Sequence, residues 1–217
     1  MQITVNGSAV DVDLEMFVVA GYTARDREAV LHHIHELEEL GVAPPPYVPY
    51  YWRFPAWLAQ ATDRVVVSGT QTSGEAEVAL VVDGAQVYVT VGSDHTDRAA
   101  EALDVGMSKA ICPKVIGSEA WTAESIGGRW SELELRSWIT VDGEEVLYQE
   151  GQCVDLTPPL DLLAGIPFER PQRFAMLTGT VPAIGGVRPA SHFRAELRDP
   201  ANGRTLAISY DIVSLEG

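Results

Sequence analysis

Three acidic residues, Glu75, Glu77 and Asp94, stand close together in a stretch that otherwise has the pattern of β-strands. If residues 77–82 and 85–91 pair as a hairpin, the period of two places all three carboxylates on one face, near the hairpin's open end. Like charges at this spacing repel one another, so a cation or protons would have to neutralise them. Oxygen ligands without a thiolate suit Mg²⁺, Mn²⁺ or Ca²⁺. The alternative is that Glu75 and Glu77 form the solvated face of an edge hairpin.

His33 and Glu36 are a second candidate pair. At about 100° per residue, His33 lies at the edge of the apolar stripe of a predicted helix, and a residue three positions later is its neighbour on the helix surface. A carboxylate beside an imidazole orients it and makes it more basic, which a general base requires. The alternative is a histidine that only packs at the margin of the helix.

Two further features complete the candidate chemistry. Lys109 follows a helix predicted over residues 97–107 and is either a surface charge, the usual state of a lysine, or a cation for an anionic substrate. Residues 42–58 carry prolines and aromatic side chains in place of periodicity. This segment either closes over a pocket or is a packed irregular connection. Four residues would then lie near the pocket mouth: Tyr50, Tyr51, Trp52 and Arg53.

The elements that position these residues can be predicted from turn and periodicity signals. An Asp-Gly pair at residues 83–84 favours a type I′ turn, and that register pairs Glu77 with Thr90. A second Asp-Gly pair, at residues 142–143, predicts another hairpin over residues 134–149.

A helix is predicted from Thr23 to about Gly41, because Thr23 followed by Asp26 resembles a capping box with a shorter acid. Its apolar residues recur at helical spacing: Val30, Leu31, Ile34, Leu37 and Leu40. Residues 175–186 form an apolar strand that enters a glycine-rich turn, where the backbone either approaches a ligand or only bends tightly.

Composition narrows the classes of function. The 217 residues can form one domain with a large core, and 46% of them are hydrophobic. The net charge of −16 argues against nucleic acid and against anionic membranes as partners. Residues 1–5 start with strand-like alternation instead of a signal peptide, and Cys112 and Cys153 lack a CxxC spacing, so we expect free thiols in a cytoplasmic protein.

Several stretches match one family pattern in the same order. The chain resembles the fumarylacetoacetate hydrolase superfamily over roughly residues 18–213, and within it a short, poorly characterised branch. The matching stretches are Gly21-Tyr22, His33-x-x-Glu36-Leu37, Glu75-x-Glu77, the run Gly92-Ser93-Asp94-His95-Thr96-Asp97-Arg98, Lys109, Tyr148-Gln149-Glu150-Gly151 and Leu177-Thr178-Gly179-Thr180-Val181-Pro182-Ala183.

The chain also departs from the superfamily pattern. Ser93 replaces an Asn, Asp97 interrupts an Ala-Arg pair, and AICPK follows Lys109 where the family commonly has Ser-Phe-Asp. Val181 is inserted into a Thr-Gly-Thr-Pro turn. These changes concern the pocket wall more than the carboxylates.

The resemblance implies a mixed α+β fold that is mostly β, with a rolled, mixed or antiparallel sheet and a few peripheral helices, formed by residues 1–217 as one catalytic domain. It implies a homodimer that uses Mg²⁺ or Mn²⁺, with Ca²⁺ as a third possibility, and a small oxo-acid substrate. By this resemblance Glu75, Glu77 and Asp94 hold the metal, and His33, Glu36 and Lys109 are catalytic. The substrate would meet Thr180, Gly179, Arg53 and Tyr22.

The function we expect is hydrolysis of a C–C bond in a 2,4-dioxo acid of the acylpyruvate type. A lyase or isomerase is the alternative, such as a decarboxylase, a dehydratase or a tautomerase that acts on a 2-oxo acid or a sugar-acid derivative. A second alternative is a non-catalytic protein that binds a metal or ligand. Similar folds can carry each of these functions, so the site must decide among them.

Overall fold

The computed structural model describes residues 1–39 and 41–216, without the side chains of His33 and Leu37. With 46% strand and 20% helix, it confirms the expected mixed fold that is mostly β with a few helices. The strands are β1 Gln2–Val5, β2 Ser8–Asp11, β3 Met16–Gly21, β4 Tyr50–Phe54, β5 Ala59–Gln60, β6 Arg64–Val67, β7 Thr72–Ser73, β8 Ala76–Asp83, β9 Gln86–Ser93, β10 Thr96–Asp97, β11 Lys114–Ile116, β12 Glu119–Thr122, β13 Glu134–Val141, β14 Glu144–Gln152, β15 Arg173–Thr180, β16 His192–Asp199 and β17 Arg204–Ser214. The α-helices are α1 Arg27–Glu39, α2 Arg98–Glu101, α3 Val105–Ala110, α4 Ala123–Ile126 and α5 Pro159–Ala164, and short 3₁₀ turns lie at Ala56–Leu58, Trp130–Glu132, Cys153–Asp155 and Pro200–Asn202.

Two sheets provide most of the structure. The larger runs in the order β2-β1-β12-β9-β8-β15-β3-β4, with β11 and β5 attached beside β9. The smaller runs in the order β14-β13-β16-β17-β6. A short pair, β7 with β10, lies apart from both. Strands β8 and β9 are antiparallel and β15 is parallel to β3, so the larger sheet is mixed.

The main core lies between the two sheets. Alternate residues of β8 and β9 pack there against the inner face of the smaller sheet, which contributes Leu135, Phe193 and Tyr210 among others. The opposite face of β8 and its neighbours carries a second apolar cluster that includes Phe17, Ala79 and Leu177. Because both faces of β8 are covered, a polar side chain on this strand is removed from water.

The first predicted hairpin forms, but its register is displaced by two residues. Glu77 pairs with Gly92, and not with Thr90 as predicted. Asp83 stays in the ladder opposite Arg173 of β15, so the turn is made by the next two residues, with Gly84 at φ of 61°. Glycine in the first central position is typical of a type II′ turn. A shift of two residues keeps every side chain on its predicted face.

Helix α1 begins later than predicted. Asp26 is its cap, because its Oδ1 accepts from the backbone N–H groups of Glu28 and Ala29 at 3.0 and 3.1 Å. Thr23 is buried outside the helix. Of the predicted stripe, Val30 and Ile34 are buried, Leu31 is exposed, and Leu40 and the Leu37 side chain lie outside the described residues.

The helix predicted over residues 97–107 is two helices. Asp97 caps α2 and Asp104 caps α3, each through its side chain, so the chain restarts its helical path between them. Lys109 consequently lies within α3 instead of after a helix. No described helix is long and apolar enough to cross a membrane.

Candidate active site

Glu77 lies in the interior of the larger sheet. Its strand has β9 on one side and β15 on the other, and the residue is only 3% exposed. The interpretation of Glu75 and Glu77 as the wet face of an edge hairpin is therefore wrong, because β8 is not an edge strand. A carboxylate withdrawn from water in this way needs hydrogen bonds, a proton or a cation.

Asp94 is buried between two lysines. Lys109 Nζ donates to its Oδ2, and Lys114 Nζ lies 3.0 Å from its Oδ1. Thr96 Oγ1 donates to Oδ1 at 3.2 Å. Burial alone would raise the pKa of Asp94, but the two ammonium groups outweigh it and hold that pKa well below its ordinary value. Asp94 is therefore a carboxylate with both oxygens in contact with positive charge.

Lys109 remains an ammonium group in spite of its burial. Burial alone would lower its pKa, but Asp94 and Glu75 raise it above the ordinary value. Lys114 is completely buried, and burial lowers its pKa although Asp94 acts in the opposite direction. Lys109 is thus suited to hold negative charge and unsuited to accept a proton.

Glu75 precedes Glu77 by two residues, a spacing that places both side chains on the same face of an extended chain. Its backbone carbonyl accepts from the Asp94 N–H at 3.0 Å, so the observed register places the two residues opposite each other. Its side chain lies 2.9 Å from Arg98 Nη2. Arg98 also contacts Glu101 at 2.9 Å and Ser73 Oγ at 2.7 Å, which fixes its position.

Glu77 has a different environment from the other two acids. Its Oε2 accepts from the Gly179 N–H at 2.6 Å. Among the described residues, no Lys, Arg or His nitrogen lies within 4.0 Å of its carboxyl group, in contrast to Glu75 and Asp94. Burial, followed by the nearby Asp94, raises the pKa of Glu77 well above its ordinary value.

The donor chemistry of these three acids fits a hard divalent cation, although their present arrangement does not enclose one. Within the described residues, no group of three His, Cys, Asp or Glu side chains is placed to hold a metal ion. The contacts explain why: Glu75 is drawn to Arg98, and Asp94 to Lys109 and Lys114. Of the three acids, Glu77 is the one that no described Lys, Arg or His contacts, so a divalent ion beside it would offset the cost of its ionised form.

We expect Gly179→Ala to lower the free energy of unfolding by about 1–3 kcal/mol, the usual cost of a residue held in an unfavourable backbone region. Gly179 has φ of 104°, and an added Cβ would overlap Thr23 Oγ1. Urea denaturation of the variant and the wild type measures the difference. Adding Thr23→Ala should restore part of the loss, because it removes the overlap and leaves the backbone strain. An unchanged urea midpoint for Gly179→Ala would contradict this account.

Thr180 and Gly179 brace the strands beside the acids. Thr180 Oγ1 donates to the Ala76 carbonyl at 2.7 Å and accepts from Gln149 Nε2 at 2.7 Å. Because a hydroxyl has one hydrogen, Thr180 has none left for a substrate oxygen. The Gly179 N–H is likewise donated to Glu77. Binding of substrate by either group, as the family resemblance implies, would require these bonds to break.

Aromatic side chains line the approach to Lys109. Its Nζ lies 5.6 Å from the centre of the Trp52 ring, a cation–π distance. Trp52 in turn contacts Tyr22 at 6.1 Å and Tyr50 at 4.8 Å between ring centres. Tyr22 has φ of 58°, which is rare for a bulky residue and typical of functional sites. Burial raises the pKa of the Tyr22 hydroxyl, whereas Lys109 lowers it.

Two cavities meet at Tyr22. One, of about 180 Å³, extends between Trp52 and the proline-rich loop. The other, of about 320 Å³, lies on the side of α1 and includes Arg25 and Arg27 in its lining. The segment at residues 42–58 therefore forms a pocket wall, and of the two interpretations of this segment the structure favours the pocket.

Two further predicted site residues, Arg53 and Glu36, lie away from the three acids. Arg53 alternates with Trp52 along β4 and stacks on Phe168 at 4.8 Å, on the opposite face of the sheet from Glu77. The side chain of His33 lies outside the described residues, so its predicted contact with Glu36 is not placed. Glu36 Oε1 lies 3.3 Å from His32 Nε2 on the exposed surface of α1.

Sequence analysis missed Lys114 and the neighbours of His95. Lys114 stands within the apolar run ICPKVIG, and a lysine in a strand-like apolar run is a signal that could have identified it. His95 is buried between Tyr210 OH at 3.1 Å and Thr72 Oγ1 at 2.9 Å. Tyr210 lies 115 residues away in the chain, and no local pattern connects the two.

A family model described as "Protein of unknown function (DUF2848)" matches residues 20–210. No curated protein matches the chain significantly. Among solved structures, a protein of Oleispira antarctica with the provisional description fumarylacetoacetate isomerase/hydrolase is 20% identical, with a TM-score of 0.70 over 98% of this chain and 100% of that one. Maleylpyruvate hydrolase of Sphingobium sp. SYK-6 is 16% identical, with a TM-score of 0.61 over 92% and 71%. A 2-keto-3-deoxyarabinonate dehydratase is 16% identical, with a TM-score of 0.64 over 93% and 74%. These likenesses show the fold.

Proposed function

We propose that this chain, which belongs to the DUF2848 family, is a divalent-metal-dependent enzyme that hydrolyses a C–C bond in a 2,4-dioxo acid of the acylpyruvate type. One observation carries the proposal: Glu77 is a buried acid that no Lys, Arg or His of the described part of the chain contacts, and it lies beside Asp94 and Glu75. The fold shared with fumarylacetoacetate hydrolase-like proteins supports the choice of reaction class.

The three acids would hold the metal. Glu75, Glu77 and Asp94 offer carboxylate oxygens, which suit Mg²⁺ or Mn²⁺, with Ca²⁺ as a third candidate. Such an ion, when bound, supplies Lewis acidity for the carbonyl and enolate oxygens of the substrate. Asp94 and Glu75 would then exchange part of their present contacts with Lys109 and Arg98 for the ion.

If Asp94 binds the ion, Lys109 becomes available to bind the substrate. Lys109 keeps its positive charge in this environment and lies between the acids and the Trp52 ring. It would therefore hold the carboxylate of the oxo acid or the oxyanion that develops during the reaction. His33, oriented by Glu36, is the proposed base that takes a proton from the attacking water.

The reaction balances without a further reactant. Water adds through its oxygen to the distal ketone carbon, and the base takes one of its protons. The bond between that carbon and the neighbouring methylene carbon then breaks, and its electron pair forms the enolate of pyruvate. Protonation of the enolate carbon gives pyruvate, and the distal fragment leaves as a carboxylic acid.

Glu77→Gln tests the metal site directly. In EDTA-treated protein we expect Glu77→Gln to be as stable as the wild type or slightly more stable, because it removes an acid whose ionised form burial disfavours and keeps an oxygen for the Gly179 N–H. With Mg²⁺ or Mn²⁺ at a hundredfold excess over its Kd, the wild type should gain about 2.7 kcal/mol. For a protein of this size that is about 5–10 °C in Tm.

His33→Ala is the matched control for that experiment. It removes the proposed base and no proposed ligand, so the metal-dependent rise in Tm should persist while turnover of a dioxo acid is lost. If the metal-dependent rise in Tm were equal in the wild type and Glu77→Gln, the carboxylates would not be the metal ligands. Wild-type turnover in His33→Ala would remove His33 as the base.

A lyase is the second candidate function, and one finding favours it. A protein of the same fold carries the name 2-keto-3-deoxyarabinonate dehydratase, so this fold also supports elimination of water. The charged Lys109 and the three acids would serve an enolate from a sugar acid equally well. Product analysis with a 2-keto-3-deoxy sugar acid and with an acylpyruvate separates the two functions.

A further inference from the structure

The cavity of about 180 Å³ beside Trp52 has the size and the lining of a site for one ring. Its walls are the aromatic residues Tyr22, Tyr50 and Trp52 and the prolines at 44–46. An engineered apolar cavity of about 150 Å³ is known to accept benzene. Proline has no backbone N–H, so these three positions of the wall offer no backbone donor to a ligand.

The cavity lies close to Lys109, the cation that we propose binds the substrate. Trp52 lies at once in the cavity lining and 5.6 Å from Lys109 Nζ. Gly106, which also lines the cavity, precedes Lys109 by three residues in α3 and is therefore on the same side of that helix. A substrate whose carboxylate or oxyanion meets Lys109 would thus extend its distal end into the cavity, against the aromatic rings.

The charge of the lining selects against an acidic distal end. Among the described residues of the lining none is basic, and Asp104 is acidic. Asp104 is held in place because its Oδ1 accepts from the Met107 N–H at 2.8 Å. A second carboxylate on the substrate would meet this charge without a partner cation, which is unfavourable away from bulk water.

Glycine at position 106 lets Trp52 pack closely against α3, where both residues line the cavity. A Cβ there would lie 3.1 Å from both Cδ1 and Nε1 of Trp52 and 3.2 Å from Asp104 Oδ1. Gly106 lies inside a helix, where alanine or leucine would be better helix formers. The close approach of Trp52 and Asp104 explains the glycine, and a larger side chain here would displace Trp52 from the cavity wall.

We propose that this cavity is the acyl subsite, and that it selects dioxo acids whose distal group is uncharged and about the size of a phenyl ring. The proposal rests on the proposed function, because it identifies the substrate class of that same site. The packed aromatic rings of the wall favour a planar group through offset or edge-to-face contacts. Burying a phenyl group instead of a methyl group in such a site favours binding by at least tenfold.

The test compares acetylpyruvate, benzoylpyruvate and succinylpyruvate with Mn²⁺-loaded protein. We expect kcat/KM for benzoylpyruvate to exceed that for each of the other two at least tenfold. Gly106→Leu fills the cavity, so the ratio between benzoylpyruvate and acetylpyruvate should fall to about one. Met107→Leu is the matched control, since Met107 lies on the same helix, is 57% exposed and should leave the ratio unchanged.

Calorimetric binding of the same three acids keeps the proposal testable when none is turned over. Preferred binding of benzoylpyruvate that is lost in Gly106→Leu supports the subsite. Equal binding of all three acids, binding unchanged in Gly106→Leu, or no binding at all overturns it. Failure of the proposed function has a separate signature, the absence of a Glu77-dependent rise in Tm with metal.

Discussion

Asp94→Asn is expected to lower the free energy of unfolding by about 3–5 kcal/mol in EDTA, the range for removing one partner of a buried ion pair. The substitution leaves Lys109 and Lys114 without their shared carboxylate. Lys109 can turn towards Glu77, but Lys114 is completely buried and keeps only uncharged acceptors among the described residues, the asparagine oxygen and the His95 carbonyl. Lys114 must then lose its proton or draw in water, and both weaken the native state. Urea denaturation at pH 7 measures the loss.

Asp97→Asn is the matched control for this change. It removes a negative charge three residues away, yet asparagine caps a helix about as well as aspartate, so α2 should be preserved. Its stability should stay within about 0.5 kcal/mol of the wild type. Should Asp94→Asn behave like Asp97→Asn, the two lysines would not depend on Asp94 and the proposed centre of the site would be wrong.

The pH dependence of this loss follows from the direction of the pKa shift. The folded pKa of Asp94 is depressed, so its contribution is fully present above the pKa of an unfolded aspartate, about 3.9. The contribution disappears as the pH falls from there through the folded pKa. The difference in stability between the wild type and Asp94→Asn should therefore be constant from about pH 5 to pH 7.

The same dipeptide gives two different turns in this protein. At residues 142–143 Asp-Gly occupies both central positions, each with positive φ, so this hairpin turns at the predicted dipeptide. At residues 83–84 the Asp is retained in the ladder by Arg173 of β15, so the turn moves forward. Turn chemistry predicted that a hairpin would form, and pairing with a third strand decided its register. That strand lies about ninety residues further along the chain, so local sequence patterns do not predict the pairing.

The acids could be identified from sequence, but their environment could not. Spacing placed Glu75, Glu77 and Asp94 together, and the parity of strand residues preserved that result despite the wrong register. The burial of Glu77 depends on β15 covering one edge of β8, and the charge of Asp94 is balanced in part by Lys114. The sequence therefore predicted the neighbours of Glu77 but not its burial.

His95 provides the other large expected effect, which is a dependence of stability on pH. Burial, assisted by the positive charges of Lys114 and Arg98, lowers the pKa of His95 to about 3. An unfolded histidine has a pKa of about 6.5, so below that pH the unfolded chain gains a proton that the native state refuses. Stability should fall with decreasing pH by roughly 1.4 kcal/mol per unit from this residue alone.

Comparison with His95→Gln isolates this contribution from that of the acidic residues, which the two proteins share. The difference in free energy of unfolding between the wild type and His95→Gln should shrink by about 2 kcal/mol from pH 6 to pH 4.5. Tyr210→Phe is the control, because it removes the hydroxyl beside His95 Nδ1 and keeps the imidazole. Its difference from the wild type should change far less between pH 6 and pH 4.5 than that of His95→Gln, because the buried imidazole that excludes the proton is kept.

A neutral imidazole at position 95 also has a consequence for the site. Both ring nitrogens contact hydroxyl groups, so the ring can donate to one and accept from the other only while it is uncharged. The backbone carbonyl of the same residue accepts from Lys114, the lysine that holds Asp94. Protonation of His95 would thus disturb the carboxylate directly before it in the chain. A difference that does not change with pH would show that His95 is protonated in the native state, and that the Asp94 site tolerates the charge.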